Sequence, residues 1–459
     1  MFFTRLSGDC VQQIADGLDS RDALSLSLSC RALRDIGLRS ALRSYGPRKF
    51  NPPKFVAFVK FFLSGPRNGF ASSLRSLALR NYTLPQAVDE EWVRALIQLL
   101  EGVTLLRDLS LCHWDDLVKH YSALGTALRN SSSIGWIELR KIKSITGSLL
   151  DLPASLHTLC LTDVFTDYEG LHALLSAAAS LPRLHTVELH RVRARHFEFD
   201  CFSDDPPVAT TVRRFVLYSC ELPFIVLVRA FPKVSHVAIW DSGDLYLADE
   251  GVDVVSSYAD PRWGHLEDLF MNSSFAEPIL DVVSSVRSLE VDFECSAWEA
   301  SGEVPIAPVI ESVDEHPWLG WLGPKHYADM IAVEENPERS IASAISALLP
   351  LHITRLDLRF VYRSPFSGED DFHPVSTAAI ENRPKTYHWP EGYVATLLGA
   401  AKALHELEWI GVSVSRDVGV KVQRQWRLQN GELRETTDRQ DDGLRWRPKG
   451  KLEELDESM

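Results

Sequence analysis

The stretch Ser180–Leu189 reads Ser-Leu-Pro-Arg-Leu-His-Thr-Val-Glu-Leu and joins two kinds of sequence pattern. An alanine-rich apolar run with helical spacing comes directly before it. Pro182 cannot continue a helix, and it pushes its predecessor toward extended geometry. Leu184, Val187 and Leu189 follow at the spacing of a short strand with one buried face. The stretch therefore predicts a helix, a turn and a strand in direct succession.

The same apolar-x-x-apolar-x-apolar pattern recurs along most of the chain. Its eleven groups begin at Leu74, Leu106, Ile134, Leu156, Leu184, Val212, Val234, Leu266, Val286, Ile353 and Leu404. From Leu106 to Val234 the groups advance by 28, 22, 28, 28 and 22 residues. These intervals are close to the roughly 20–29 residues of a leucine-rich repeat, and helix-like stretches lie between several of the groups. The asparagine that regular repeats place after the strand is mostly missing, so the repeats are degenerate. The pattern predicts an α/β leucine-rich-repeat solenoid with a parallel concave sheet.

Residues 6–45 have the pattern of a small three-helix module. Ser7 and Asp9 can cap a first helix, and the polar segment Asp19–Asp22 ends that helix and caps a second. A module of this size that is rich in leucine cannot bury all of its own apolar surface. We therefore expect the module to need a partner, either the rest of the chain or another protein.

The module resembles the F-box, which docks on the Skp adaptor of Skp–cullin–F-box ubiquitin ligases. The resemblance rests on Leu6-Ser7-Gly8-Asp9, on Ser29-Cys30-Arg31, on Leu33-Arg34 and on the order of the apolar positions between them. Ser7 stands where the family usually has proline, and Leu33 where it usually has tryptophan. The resemblance implies a set of adaptor-binding residues, namely Leu6, Val11, Ile14, Leu18, Leu24, Leu28 and Leu33. The alternative is a helical cap that seals the first repeat.

F-box proteins with C-terminal leucine-rich repeats are substrate receptors, and the resemblance implies that role here. The N-terminal helices would bind the Skp-type adaptor of a cullin ligase, and the repeats would bind a target protein. Ubiquitin transfer would then be accelerated by proximity, with the chemistry supplied by other subunits. The alternative is a leucine-rich-repeat interaction scaffold with no role in ubiquitin transfer.

The sequence predicts five segments: a helical module over about 1–45, a linker or cap over 46–72, degenerate repeats over 73–411, a β-hairpin cap over 412–440 and a charged tail over 441–459. Two inserts interrupt the repeats at about 296–340 and 362–392. The hairpin is predicted because Asn430-Gly431, a strong type I′ turn signal, separates two alternating stretches.

The concave surface of the repeats would be lined by the side chains between the apolar positions. In the middle repeats these side chains predict an apolar and aromatic patch that binds the target protein: Val216, Tyr218, Trp240 and Phe270. The alternative is that loops or the tryptophan-rich first insert cover this patch.

The sequence has no phosphate-binding loop, nucleophile elbow, zinc-protease motif or dinucleotide fingerprint. We therefore expect no catalytic residues and no cofactor. One set of side chains suggests a metal site: His185, His190, His196 and Cys201. Three arginines interleave with this set and would repel a cation, so we expect no metal there.

Bulk composition predicts a soluble protein of the cytoplasm or nucleus. A net charge of −15 argues against binding to nucleic acid or to an anionic membrane surface. The longest apolar runs are too short to cross a bilayer, and the N-terminus turns polar too early for a signal peptide. The seven cysteines form no C-x-x-C pair, which predicts reduced and buried thiols.

Overall fold

A computed structural model gives the fold of the chain. It describes residues 7–47, 50–64, 70–80, 90–143, 145, 152–194, 206–240, 263–272, 282–296, 352–363, 398–399, 401–402, 404, 406–416, 422–429 and 432–436. The chain divides into two compact units, Met1–Lys233 and Val234–Met459, which are described separately below.

The N-terminal unit begins with three helices: α1 Gly8–Asp16, α2 Ser20–Ser29 and α3 Arg31–Ala41. Side chains cap the first two helices, because Ser7 accepts a hydrogen bond from the Cys10 backbone amide and Asp19 accepts one from the Asp22 amide. The three helices pack on one another. Ser40 ties α3 to α1 by donating a hydrogen bond from its Oγ to the Ala15 carbonyl oxygen.

A parallel sheet follows, with its strands paired in chain order. Its strands are β1 Ser44–Tyr45, β2 Ser76–Leu79, β3 Asp108–Cys112, β4 Trp136–Ile142, β5 Thr158–Thr166, β6 Thr186–Ala194 and β7 Arg214–Tyr218. Strands β2 to β7 lie where the repeated apolar pattern predicts them. The central apolar positions of the groups lie side by side in one buried row: Leu77, Leu109, Ile137, Leu159, Val187 and Phe215.

Helices lie between the strands of this unit: α4 Pro52–Ser64, α5 Glu90–Gly102, α6 Trp114–His120, α7 Ser122–Arg129, α8 Tyr168–Ser180 and α9 Phe224–Ala230. Helix α4 packs on α5, and α5 packs on α7. The ring of Trp92 on α5 lies 5.3 Å from that of Phe50 and 6.5 Å from that of Phe55, measured between ring centroids. These aromatic contacts bury the inner side of α4.

A residue in the left-handed backbone conformation recurs at the same position of five successive strands, β3 to β7. It lies within β4, β5 and β6, and directly after β3 and β7. These residues are His113, Lys141, Asp163, Arg191 and Ser219, with φ between 51° and 57°. The strand register places them side by side. A left-handed conformation costs a non-glycine residue about 1–2 kcal/mol. Its recurrence at one position shows that the successive strands repeat the same local geometry.

The C-terminal unit contains a second run of paired strands. They are β8 His236–Trp240, β9 Leu266–Asn272, β10 Val286–Ser296, β11 Arg355–Arg363, β12 Trp409–Arg416, β13 Val422–Gln429 and β14 Glu432–Glu435. Strands β8 to β12 are parallel, whereas β13 and β14 are antiparallel. Gln429 lies opposite Glu432, which is the register that the Asn430-Gly431 turn signal predicts.

The protein is therefore a mixed α/β protein with largely parallel strand pairing, as predicted. Two features differ from the sequence interpretation: residues 44–45 form a strand that pairs with β2, and α6 and α7 were not predicted. Most of both predicted inserts and all of the charged tail lie outside the described residues. Within the described part of the chain, no helix combines the length and apolar character needed to cross a membrane.

Candidate protein-binding surfaces

The helices α1 to α3 present large apolar side chains to solvent. Leu28 is 79% exposed, and Leu24 and Ile14 are each 44% exposed. Leu24 and Leu28 are four residues apart on α2 and so lie on one face of that helix. Apolar area in contact with water costs free energy that burial against a partner would recover, at about 25 cal/mol per Å². These three side chains make the helical module a candidate docking surface.

The other predicted adaptor-binding residues are placed differently. Val11 and Leu33 are buried in the core of the module together with Ala15 and Ala23, so they hold the helices together. Leu18 is half-buried, and Leu6 lies outside the described residues. Helical spacing identified the apolar positions correctly but did not distinguish those that face the core from those that face water.

The predicted target-binding residues of the N-terminal unit are Val216 and Tyr218 on β7. Val216 is buried, so it offers little surface to a partner, and Tyr218 is half-buried. Val216 lies opposite Glu188 and Tyr218 opposite His190 in the strand register. The ring centroids of His190 and Tyr218 are 5.9 Å apart. On the β6 side the neighbours of these two residues are therefore polar, and the binding of a target protein at this place stays a prediction.

The predicted target-binding residues of the C-terminal unit are Trp240 on β8 and Phe270 on β9. Their ring centroids are 4.7 Å apart, so the two side chains do meet. Phe270 is buried and Trp240 is half-buried. At the start of β8, His236 Nε2 lies 3.2 Å from an Asp268 carboxylate oxygen. Of these two residues, Trp240 is therefore the one whose side chain a partner could contact.

A buried polar network crosses the polar face of the N-terminal sheet, which is formed by the side chains between the apolar rows. Arg80, just after β2, donates from Nε to Ser110 Oγ at 3.0 Å. Ser110 Oγ in turn donates to Glu138 Oε2, which lies 3.0 Å from Arg80 Nη2. Ser110 and Glu138 are both buried. The ion pair balances the charge of a carboxylate that would otherwise be costly to bury.

Three potential metal ligands meet farther along the same face. The Cys160 thiol, the Glu188 carboxylate and the His190 imidazole each offer one ligand atom, and these atoms all lie within 4.8 Å of one another. Cys160 lies directly opposite Glu188 on neighbouring strands. The pKa of the Cys160 thiol is well above its usual value. Burial is the main cause, and the negative charges of Glu138 and Glu188 raise it further. The thiol is therefore protonated at neutral pH in the absence of a cation.

Of the histidine and cysteine set that the sequence singled out, only His185 and His190 lie in the described part of the chain. His185 is exposed and stacks on His157 at 5.9 Å between ring centroids. His196 and Cys201 lie outside the described residues. His190 instead lies close to Cys160 on the neighbouring strand β5, with ligand atoms within 4.8 Å of each other. The sequence signal that could have found this set is the 28-residue interval between Cys160 and Glu188.

The expectation of buried thiols is correct for three of the cysteines that the structure describes and wrong for two. Cys112, Cys160 and Cys220 are buried, whereas Cys10 and Cys30 are exposed. Burial raises the pKa of Cys112 to about 11 and that of Cys220 to about 12. Cys10 and Cys30 lie in the helical module, whose small core cannot cover them.

Comparison with known proteins does not assign the chain to a family. No family model matches the sequence, and a search of curated proteins gives no match either. The function is therefore argued from the residues and their arrangement.

Proposed function

We propose that this chain is the substrate-recognition subunit of a Skp–cullin–F-box ubiquitin ligase. The helices α1 to α3 bind the Skp-type adaptor, and the strand-and-helix body binds a target protein. The chain itself does no chemistry in this proposal, because its part is to bring the target close to the ubiquitin-transferring subunits.

The observation that carries the adaptor half of the proposal is the exposure of Leu28, with Leu24 on the same face of α2. A small helical module that leaves leucine side chains in water has an energetic reason to bind another protein. Leu28 alone, if fully buried on binding, would contribute about 1.5–3 kcal/mol.

The repeat half of the proposal is supported by the local geometry of the strands. Consecutive strands are parallel, lie in chain order and align their apolar rows. The left-handed residues from His113 to Ser219 recur at one position in five successive strands. This recurrence favours a degenerate leucine-rich-repeat array, in which each strand belongs to one stacked unit.

One observation favours the alternative, a repeat scaffold whose helical module is only a cap. Ser44 and Tyr45 form β1, which pairs with β2 and so joins the module to the first repeat strand. The Arg43 carbonyl oxygen also accepts hydrogen bonds from the backbone amides of Arg75 and Ser76. A cap would need this attachment, although a docking module can have it too.

A binding measurement with purified Skp-type adaptor tests the proposal. The full chain is compared with Leu28→Asp, a change that disturbs little of the fold because the side chain is mostly in water. Loss of about 1.5–3 kcal/mol of apolar burial predicts a Kd about 10-fold to 100-fold higher. Isothermal titration calorimetry measures this difference.

The matched control is Leu105→Asp, which makes the same change at an exposed leucine outside the helical module. We expect this variant to bind the adaptor as the unchanged chain does. If the unchanged chain does not bind the adaptor, or if both variants bind equally well, the receptor proposal fails and the scaffold alternative is favoured.

A further inference from the structure

We propose that Cys160, Glu188 and His190 form a zinc-binding site on the polar face of the N-terminal sheet. The proposal is independent of adaptor binding, because it concerns a different surface and different residues. It assigns the chain a metal ligand set that shares only His190 with the set that the sequence analysis considered.

The backbone brings the three side chains to the same place. Cys160 on β5 and Glu188 on β6 are direct register partners on neighbouring parallel strands, and neighbouring strands lie about 4.7–4.9 Å apart. His190 follows Glu188 by two residues along β6, and side chains two apart on a strand point to the same face. A strand pair thus holds all three ligands without help from a loop.

The distances suit a tetrahedral cation after small side-chain rotations. Zinc bonds of about 2.0–2.3 Å place neighbouring ligand atoms roughly 3.3–3.8 Å apart. The three ligand atoms already lie within 4.8 Å of one another, and His190 Nε2 is 3.7 Å from Glu188 Oε2. A thiolate, an imidazole and a carboxylate together favour zinc over the oxygen-seeking cations Mg²⁺ and Ca²⁺.

The second observation concerns the ring nitrogen of His190 at the same place. His190 Nε2 is buried and has no hydrogen-bond partner in the described part of the chain. The whole His190 side chain is only 12% exposed. A buried imidazole nitrogen without a partner costs free energy, and a cation bound at that nitrogen removes the cost.

The charge balance of the site is favourable. Zn²⁺ displaces the proton of the Cys160 thiol to solvent, and the resulting thiolate, the Glu188 carboxylate and a neutral imidazole give a complex with no net charge. The charged groups that face Cys160 are Glu138, Glu188 and Arg140. The two carboxylates attract the cation, and Arg140 opposes it in part. Because a proton is released, zinc affinity should rise with pH below the pKa of the thiol.

The test uses the full chain, freed of metal by a chelator and then titrated with Zn²⁺ alone or Co²⁺ alone. We expect one equivalent of tightly bound metal and, with Co²⁺, a thiolate-to-metal charge-transfer band in the near ultraviolet. Cys160→Ser should abolish this band. His190→Gln should weaken zinc binding by more than the roughly 10-fold to 100-fold that loss of an outer-shell partner causes.

Two matched controls keep the test specific. Cys220→Ser removes another buried thiol of the N-terminal unit, and His185→Gln removes another histidine of the same chain segment. Both should bind metal as the unchanged chain does, and circular dichroism should show all four variants folded. If Cys160→Ser does not fold, His190→Gln alone decides. No cobalt band, a band that survives Cys160→Ser, or unchanged zinc affinity in His190→Gln would overturn the proposal.

Discussion

Gly37 lies where α3 comes close to the backbone of α2. A Cβ atom at this position would lie 2.6 Å from the Ser27 backbone nitrogen and 2.7 Å from the Ala23 carbonyl oxygen. Both atoms belong to the backbone of α2, so they cannot rotate away as a side chain could. Only glycine therefore allows the two helices to pack at this distance.

We expect Gly37→Ala to destabilise the helical module. Alanine gains about 1 kcal/mol over glycine in a helix interior, but overpacking against a backbone costs about 1–3 kcal/mol or more. Because the contacts are well below 3 Å, the overpacking cost should exceed the gain. Hydrogen exchange of the amides of α2 and α3 should become faster, and adaptor binding should weaken with it.

Gly17→Ala is the control for this change. A Cβ atom at Gly17 would lie 3.5 Å from the Ile14 carbonyl oxygen, an ordinary contact, and the backbone there is right-handed. Hydrogen exchange should then stay within error of that of the unchanged chain. Equal exchange rates for Gly37→Ala and Gly17→Ala would mean that the helices can separate at little cost.

At this scale the sequence predicts which residues are apolar or reactive better than it predicts where they point. Val11 and Ile14 follow the same helical spacing, yet the first is buried and the second is 44% exposed. The difference depends on the angle at which α1 meets the other helices, which no local pattern contains. Likewise, the meeting of Cys160 with His190 depends on the pairing of β5 with β6, so a search within one stretch of sequence could not find it.

Between elements, the Arg80–Ser110–Glu138 network links the end of β2 to β3 and β4. The side chains of Arg80 and Glu138 are only 18% and 11% exposed. Their attraction acts in a medium of lower dielectric constant than water, and each would be costly to leave alone. The network therefore favours one register of the three strands.

We expect Arg80→Met to lower the free energy of unfolding by about 2–3 kcal/mol. Breaking a fully buried ion pair costs about 3–5 kcal/mol, and this pair is slightly exposed. The loss arises because the Glu138 carboxylate stays buried without its counter-charge. Adding Glu138→Met to Arg80→Met should recover part of the loss, since no unpaired charge then remains. Urea denaturation of the three chains measures these differences.

Arg94→Met is the matched control, because Arg94 pairs with Glu90 on the surface of α5 and both side chains are largely exposed. An exposed pair contributes about 0.2–1 kcal/mol at most, so this variant should be nearly neutral. A loss for Arg80→Met no larger than that for Arg94→Met would show that the strand register does not depend on the network.

The sequence predicts the elements well where a few apolar side chains suffice to define them. Each strand from β2 to β12 needs only three apolar residues at fixed spacing to bury one face, and that spacing is visible in the chain. Strand β1 has two residues and no such group, so it exists only because β2 offers it a partner. The left-handed residues, such as His113 and Lys141, carry no glycine signal, because the strand pairing around them imposes the conformation.

On the scale of the whole molecule, the antiparallel hairpin decides how the C-terminal strand run ends. Strand β12 pairs with β11 on one side and with β13 on the other. Trp426 on β13 lies opposite Ile410 and is buried. Without the hairpin, β12 would present a free row of backbone amides and carbonyls together with newly exposed apolar surface. Such an edge is a template for pairing with another chain.

We therefore expect a chain that ends at Arg416 to self-associate more strongly than one that ends at Thr436, which keeps both hairpin strands. Light scattering coupled to size-exclusion chromatography, run on both chains at the same concentrations, measures the difference in mean mass. The shorter chain should also unfold at a lower denaturant concentration, because Ile410 loses its cover. If the two chains have the same mass distribution over the whole concentration range, then β12 is protected by something other than the hairpin. In that case the hairpin stabilises the fold of the chain but does not prevent its self-association.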